Sequence, residues 1–213
     1  TDKGTEAGVG DITLLGTARI YTHDLGGEEG NVFRLDGSIG LKMPTGDSSR
    51  LKEEQEEVES PGAPESAVHG HDLALGSGSW DVPLALDALV RWQWFSCTAH
   101  LEYTVRTEGD YDYTYANDLN WALTPGADVW GTDTSRLIVQ ANLTGESKGK
   151  DEANGEIAED TAITAVYLGP QVALVWERQL YAELGVDLPL VQNNSAVQAV
   201  PDYRIHGSVG WAF

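Results

Sequence analysis

Apolar and polar residues alternate along most of the chain, as they do in strands that have one apolar and one polar face. Residues 95–106 are the clearest case, because every odd-numbered residue is apolar and every even-numbered one is polar. Residues 80–92 and 180–190 repeat the alternation. Helical spacing is hard to find, so the pattern predicts an all-β fold.

Six weaker segments alternate in the same way and bring the prediction to nine strands. The nine are residues 12–21, 33–43, 80–92, 95–106, 113–123, 137–143, 162–176, 180–190 and 203–213. Most are about 10–14 residues long, whereas ordinary strands have about 5–6 and membrane-spanning strands about 9–11. The lengths favour a transmembrane antiparallel up-and-down β-barrel, with the apolar face toward lipid. A soluble β-sandwich shows the same alternation and is the alternative.

Aromatic residues collect where the predicted strands end, which is typical of the interfacial girdles of a barrel. The residues expected at the membrane interface are Trp92, Trp94, Phe95, Trp130, Trp176, Trp211 and Phe213. Short connections alternate with long polar ones, as in barrels with periplasmic turns and outer loops. The sequence therefore predicts one β-barrel domain over 1–213, with long acidic extracellular loops at 47–79 and 145–160.

Short motifs resemble those of known outer-membrane proteins. Phe213 follows Trp211, Val209, Ile205 and Tyr203 on one face, which resembles the C-terminal assembly signal of Gram-negative outer-membrane barrels. Further glycine and proline motifs lie at 8–12, 40–47, 75–81, 168–171 and 186–190. Together they resemble the MetA-pathway of phenol degradation family of outer-membrane barrels. This resemblance implies an outer-membrane location, contact with the assembly machinery, and transport of a small aromatic or hydrophobic solute.

Composition narrows the classes of partner and cofactor. The 34 acidic residues against 13 basic ones give a net charge of −21, which disfavours nucleic acid. Cys97 is the single cysteine, so no internal disulfide framework forms. The acidic residues at 146–160 lack EF-hand spacing, and His69 and His71 are only two ligands, so we predict no metal site and no cofactor.

The polar strand faces carry six basic and seven acidic side chains, a near balance. With two histidines, the residues expected to line the lumen are Arg19, Arg34, Asp36, Lys42, Asp81, Asp87, Arg91, His100, Glu102, Arg106, Asp118, Glu183, Asp187, Arg204 and His206. Such charges serve either as a path for a small solute or as a salt-bridge network that fills a narrow lumen. The expected function is therefore a passive channel, and the alternative is a non-transporting scaffold or attachment barrel.

An enzymatic function is not expected. His206 and Ser208 resemble the His-x-Ser element of the outer-membrane phospholipase, which makes a phospholipase-like enzyme the remote alternative. Alternation, however, places both residues on the polar face, away from a lipid substrate, and no partner asparagine is identifiable.

The odd number of predicted strands has a consequence for closure. Single-chain bacterial barrels have an even number of strands and periplasmic termini. If residues 203–213 run toward the periplasm, then residues 12–21 run the same way. We therefore expect further strands ahead of residues 12–21, giving ten or twelve in total, supplied by upstream residues or by a neighbouring protein chain.

Overall fold

A computed structural model of the chain describes residues 7–27, 30–52, 74–159, 161–194 and 201–212. Within these residues, one antiparallel sheet contains nine long strands. They are β1 (Ile12–Asp24), β2 (Val32–Met43), β3 (Val82–Trp92), β4 (Phe95–Val105), β6 (Asp118–Gly131), β7 (Arg136–Lys148), β10 (Ile163–Trp176), β11 (Leu180–Asn194) and β12 (Arg204–Trp211). A small second sheet consists of β5 (Tyr113–Thr114), β8 (Glu152–Ala153) and β9 (Glu156–Ile157).

Each long strand pairs with the next long strand along the chain, in the order β1-β2-β3-β4-β6-β7-β10-β11-β12. The prediction of an all-β fold with nine antiparallel strands is therefore confirmed. Because neighbours alternate in direction, the first and the ninth strand run the same way. Within the described residues β1 and β12 are the two edges of the sheet and do not pair with each other.

The sheet is strongly curled, as contacts between non-adjacent strands show. Neighbouring strands lie about 4.8 Å apart. The guanidinium of Arg204 on β12 nevertheless lies 3.2 Å from the Glu146 carboxylate on β7, across two intervening strands. Asn142 on β7 likewise donates to Asp187 on β11 at 3.0 Å, across β10. The face that carries these polar residues is therefore concave.

The opposite, convex face is apolar and exposed. On β3 the outward side chains include Leu84 and Leu86, which are 41% and 47% exposed, and on β12 Val209 is 77% exposed. On β10 the alternation is nearly complete, since Tyr167 and Ala173 are buried on the concave side and Val172 is exposed on the other. No second layer of the described chain covers this convex face.

Several predicted boundaries are wrong in detail. The strand predicted at 113–123 is two elements, because residues 113–114 form β5 and the long strand β6 begins at Asp118. Most of the gap between the predicted strands 113–123 and 137–143 is also strand. β6 passes through Pro125 to Gly131, and the turn lies at 132–135.

The connections at the two ends of the sheet differ. Turns at 25–31, 93–94, 132–135 and 177–179 join strands at one end, called here the short-turn end. The connections from β2 to β3, β4 to β6, β7 to β10 and β11 to β12 leave and re-enter the sheet at the other end, called the rim, and their described parts contain the second sheet. Residues 53–73, 160 and 195–200 of these connections lie outside the described residues. No helix in the described part of the chain is long and apolar enough to cross a bilayer.

Candidate functional site

The structure places the charged residues expected to line a lumen on the concave face or at its rim. Strand alternation and pairing put eleven of them on the concave face of the strands: Arg19, Arg34, Asp36, Asp87, Arg91, His100, Glu102, Glu183, Asp187, Arg204 and His206. The remaining four, Lys42, Asp81, Arg106 and Asp118, meet in one cluster at the rim.

Neighbouring strands bring opposite charges together across the first half of the sheet. Arg19 on β1 forms an ion pair with Asp36 on β2. Asp87 on β3 lies directly opposite Asp36, and its carboxylate is 2.7 Å from Nδ1 of His100 on β4. The four side chains form one transverse row in the order Arg19, Asp36, Asp87 and His100, so the two adjacent carboxylates have a basic group on each outer side.

A larger hydrogen-bonded network crosses the second half of the concave face. Thr124 donates to Asn142 at 2.9 Å, and Asn142 donates to Asp187 at 3.0 Å. Nδ1 of His206 lies 3.1 Å from the same Asp187 oxygen, and its Nε2 lies 3.1 Å from Oε1 of Gln171. The network therefore joins strands β6, β7, β10, β11 and β12.

Gln171 extends this network toward the short-turn end. Its Nε2 donates to Gln140 at 3.1 Å and to Glu183 at 3.0 Å. Glu183 also accepts hydrogen bonds from Ser208, at 3.0 Å, and from Tyr181. Since the amide nitrogen of Gln171 serves two acceptors, its oxygen is the atom that faces His206, which fixes the orientation of the amide.

Two cavities open onto this network, with volumes of about 540 Å³ and 290 Å³. Asn142 and His206 line both of them. Oδ1 of Asp187 is buried beside the larger cavity and has no hydrogen-bond partner among the described residues. Charged, amide and hydroxyl groups are among those that line both cavities, so these groups can hydrogen-bond water or the polar groups of a solute.

At the rim, Asp81 is fully buried and is satisfied by four groups. Nζ of Lys42 lies 2.7 Å from its carboxylate and the Arg106 guanidinium lies 3.0 Å away. The Ser79 hydroxyl and the Thr107 N–H donate to it at 2.9 Å and 3.1 Å. Asp81 thereby ties the connection that precedes β3 to the end of β2 and to the segment after β4.

The neighbouring Asp11 completes this cluster. It accepts hydrogen bonds of 2.9 Å from the N–H groups of Gly46 and Ser77, and Lys42 lies 3.0 Å away. Burial alone would raise the pKa of Asp11, but these donors outweigh burial and lower it to about 2. For Asp81 burial again opposes ionisation, yet hydrogen bonds, the first of them from Lys42, lower its pKa. Both carboxylates are therefore ionised over the ordinary pH range.

A second rim cluster orders the acidic connection after β7. Asp151 is fully buried and accepts hydrogen bonds from the Tyr113 hydroxyl at 2.6 Å, from the Ala116 N–H at 2.7 Å and from Lys148 at 2.7 Å. Leu51 and Ala153 pack against Tyr113 in a small apolar core. In the described part of the chain no group of three potential metal ligands comes together. His69, His71 and Asp160 lie outside it.

His206 and Ser208 do not contact each other as a catalytic pair would. His206 faces Asp187 and Gln171, whereas Ser208 donates to Glu183. In a catalytic pair the serine hydroxyl would donate to the histidine ring. The Ser208 hydroxyl donates to Glu183 instead, so the described contacts place both residues in the concave network and not in a His–Ser pair.

The aromatic residues expected at an interface lie together at the short-turn end. Exposed there are Trp92, Trp94, Phe95, Trp130, Trp176 and Trp211. Phe213 lies outside the described residues. Trp94 and Phe95 pack edge to face in one turn. Tyr21, also exposed, stacks with His23 and packs at a tilted angle near Phe33 at this end of β1 and β2.

Sequence reasoning missed the uncharged members of the concave network. Thr124, Gln140, Asn142 and Gln171 carry hydrogen bonds that hold the charged residues in place. The sequence pattern could have identified them, because each is a polar residue at an alternate position of a strand. The predicted lumen residues included only charged residues and histidines, so these four were left out.

No family model matches the chain, and a search of curated proteins finds no significant similarity.

Proposed function

We propose that the chain is an outer-membrane β-barrel of a Gram-negative bacterium that provides passive passage for a small solute. The observation that carries the proposal is the inverted distribution of polarity. Large apolar side chains are exposed on the convex face, while charged and amide groups are hydrogen-bonded on the concave face. A protein surrounded by water places these groups the other way round, whereas a lipid-embedded barrel needs this arrangement.

The aromatic cluster supports the same orientation. The segment from Leu84 to Trp92, on the outer side of β3, contains nine residues, and a tilted membrane-spanning strand has about 9–11. An outer-membrane barrel has an apolar band about 25 Å tall, flanked by aromatic residues. The short-turn end then lies at the periplasmic interface and the rim lies outside the cell. Lipid and the assembly machinery are the implied partners.

The proposed barrel contains ten or twelve strands. β1 and β12 run in the same direction, and neighbouring strands of such barrels are antiparallel. An odd number of further strands therefore separates them, in this polypeptide or in a neighbouring chain. Without them the edges would leave backbone N–H and C=O groups unpaired in lipid.

A non-transporting scaffold barrel is the second candidate, and the concave network favours it. The pairs between Arg204 and Glu146 and between Asn142 and Asp187 reach across intervening strands, which narrows the space between them. A lumen filled in this way stabilises the barrel but conducts no solute. The acidic loops of such a barrel would face the surroundings.

Reconstitution into planar bilayers distinguishes the two candidates. A channel shows discrete conductance steps, and Arg204→Gln with Glu146→Gln increases the conductance by removing a pair that narrows the lumen. A scaffold shows no steps at any voltage in the native protein. Failure of the native protein to enter the outer-membrane fraction of expressing cells would contradict both.

A further inference from the structure

Three of the eight arginines of this acidic chain meet at the short-turn end of the concave face. Arg91 and Arg136 project from the inner sides of β3 and β7, and Arg178 lies in the turn after β10. They line one cavity of about 530 Å³. Two acids, Asp128 and Asp133, share the cavity, so the local balance is positive in a protein of net charge −21.

Two of the three guanidinium groups, those of Arg91 and Arg178, have protein partners but retain donors for a ligand. The Arg91 guanidinium lies 3.0 Å from Asp128, and Arg178 donates to the carbonyl oxygen of Asp133 at 3.0 Å. A guanidinium has five N–H groups. Among the described residues these two bonds therefore leave most of the N–H groups of Arg91 and Arg178 available to a ligand.

The two turns that border the cavity are fastened together. The Arg178 N–H donates to the Thr134 carbonyl at 2.9 Å, and the Glu177 N–H donates to the Ser135 hydroxyl at 2.9 Å. Glu177 and Arg178 have φ angles of 52° and 59°, in the left-handed region that favours glycine or asparagine. The chain thus places an arginine where a turn would ordinarily take a smaller residue, and this aims its side chain at the neighbouring turn.

We propose that this arginine cavity binds a small oxyanion, a carboxylate or a phosphate, at the periplasmic mouth of the barrel. Guanidinium groups bind both anions through paired N–H···O bonds, and several of them converging on one cavity suit an anion of two or more oxygens. The inference rests on the proposed function only in that the concave face must be open to water. It deepens that function by making an anion the solute that is gathered at this mouth.

Calorimetric titration of the detergent-folded protein with succinate, inorganic phosphate and neutral glycerol tests the proposal. Arg136→Gln and Arg178→Gln should each weaken anion binding about tenfold, as expected for the loss of a charge-assisted hydrogen bond. Arg19→Gln is the matched control, because Arg19 is a concave-face arginine outside the cavity, and it should leave the affinity unchanged. Comparison of succinate with phosphate identifies which oxyanion is preferred.

Equal affinity in all three variants and the native protein, or no anion binding above that of glycerol, would overturn the proposal. Arginine-dependent binding in a protein that shows no conductance in bilayers would uphold the site and reject the channel. Conductance in a protein that binds no anion would uphold the channel and reject the anion site.

Discussion

At the scale of single residues, adjacent positions on β3 face opposite environments. Leu86 is exposed on the convex side, and Asp87 lies on the concave side against His100. If the chain forms the proposed membrane barrel, Leu86→Arg should destabilise it by roughly 2–4 kcal/mol, the cost of a charge near the bilayer midplane. Urea unfolding in lipid vesicles measures this.

The control is the next residue along the chain. Asp87→Asn keeps a hydrogen-bonding side chain toward His100 and introduces no charge into lipid, so it should be far milder. If Asp87→Asn proves the more damaging of the two, the assignment of the faces is inverted.

Gly185 on β11 and Gly210 on β12 differ in the space available for an added side chain. A Cβ at Gly185 would come within 2.2 Å of the His206 ring, whereas a Cβ at Gly210 would meet nothing within 4 Å. Gly185→Ala should displace His206 from Gln171 and Asp187 and lower the free energy of unfolding by about 1–3 kcal/mol.

Gly210→Ala is the matched substitution and should change the unfolding free energy little. Unfolding titrations of both variants give the comparison, and the His206 ring resonances report its displacement. Equal effects of the two substitutions would show that His206 does not occupy the space above Gly185.

At the scale of elements, the rim cluster should respond to acid. Since the pKa of Asp11 in the folded state is about 2 and that of Asp81 is lowered, their stabilisation is complete above the unfolded value near 4. It is lost as the pH falls from about 4 toward 2. Hydrogen exchange of residues 44–52 and 74–81 should accelerate in this range while β10 and β11 stay protected.

Asp81→Asn should accelerate hydrogen exchange of the same residues at neutral pH, because it leaves Lys42 and Arg106 facing a neutral group. Breaking a buried ion pair in this way costs roughly 3 kcal/mol. Asp202→Asn, at an exposed position, is the control. Unchanged exchange in Asp81→Asn would mean that the cluster does not hold the connections.

The strands were predictable from the sequence because each has one apolar and one polar side. Residues 95–106 show this in every residue, and β4 occupies Phe95–Val105. β6 was harder, since Pro125 and Gly126 signal a turn but lie within the strand. β4 and β7 pair with this segment on its two sides and hold it extended. The local sequence does not reveal this pairing.

The site was predictable in part. Alternation placed Asp187 and His206 on one face, because the face of a strand residue follows from its position alone. The rim cluster was not foreseen as a cluster, since Asp11, Lys42, Asp81 and Arg106 come from four different segments. Their meeting depends on tertiary structure.

At the scale of the whole molecule, closure can be tested by cysteine pairs in a Cys97→Ser background. Thr17 and Ser38 lie opposite each other on β1 and β2, with their hydroxyl oxygens 2.9 Å apart. Cysteines there should form a disulfide, which needs Cα atoms about 4.4–6.8 Å apart. Cysteines at Thr17 and Ser208, on β1 and β12, should remain free because further strands separate these edges. A disulfide between them would contradict a barrel of ten or twelve strands.

The proposed barrel requires the convex face to meet lipid, and spin labels along β3 test this directly. Single nitroxides at each position from Leu84 to Val90, in the Cys97→Ser protein in vesicles, are probed with oxygen, which enters lipid, and with a water-soluble nickel chelate. Labels at even positions should collide with oxygen, and labels at odd positions with the chelate or with neither. Even-numbered labels that are shielded from oxygen, or that collide with the chelate, would show that this face is covered by protein or water and would contradict the account.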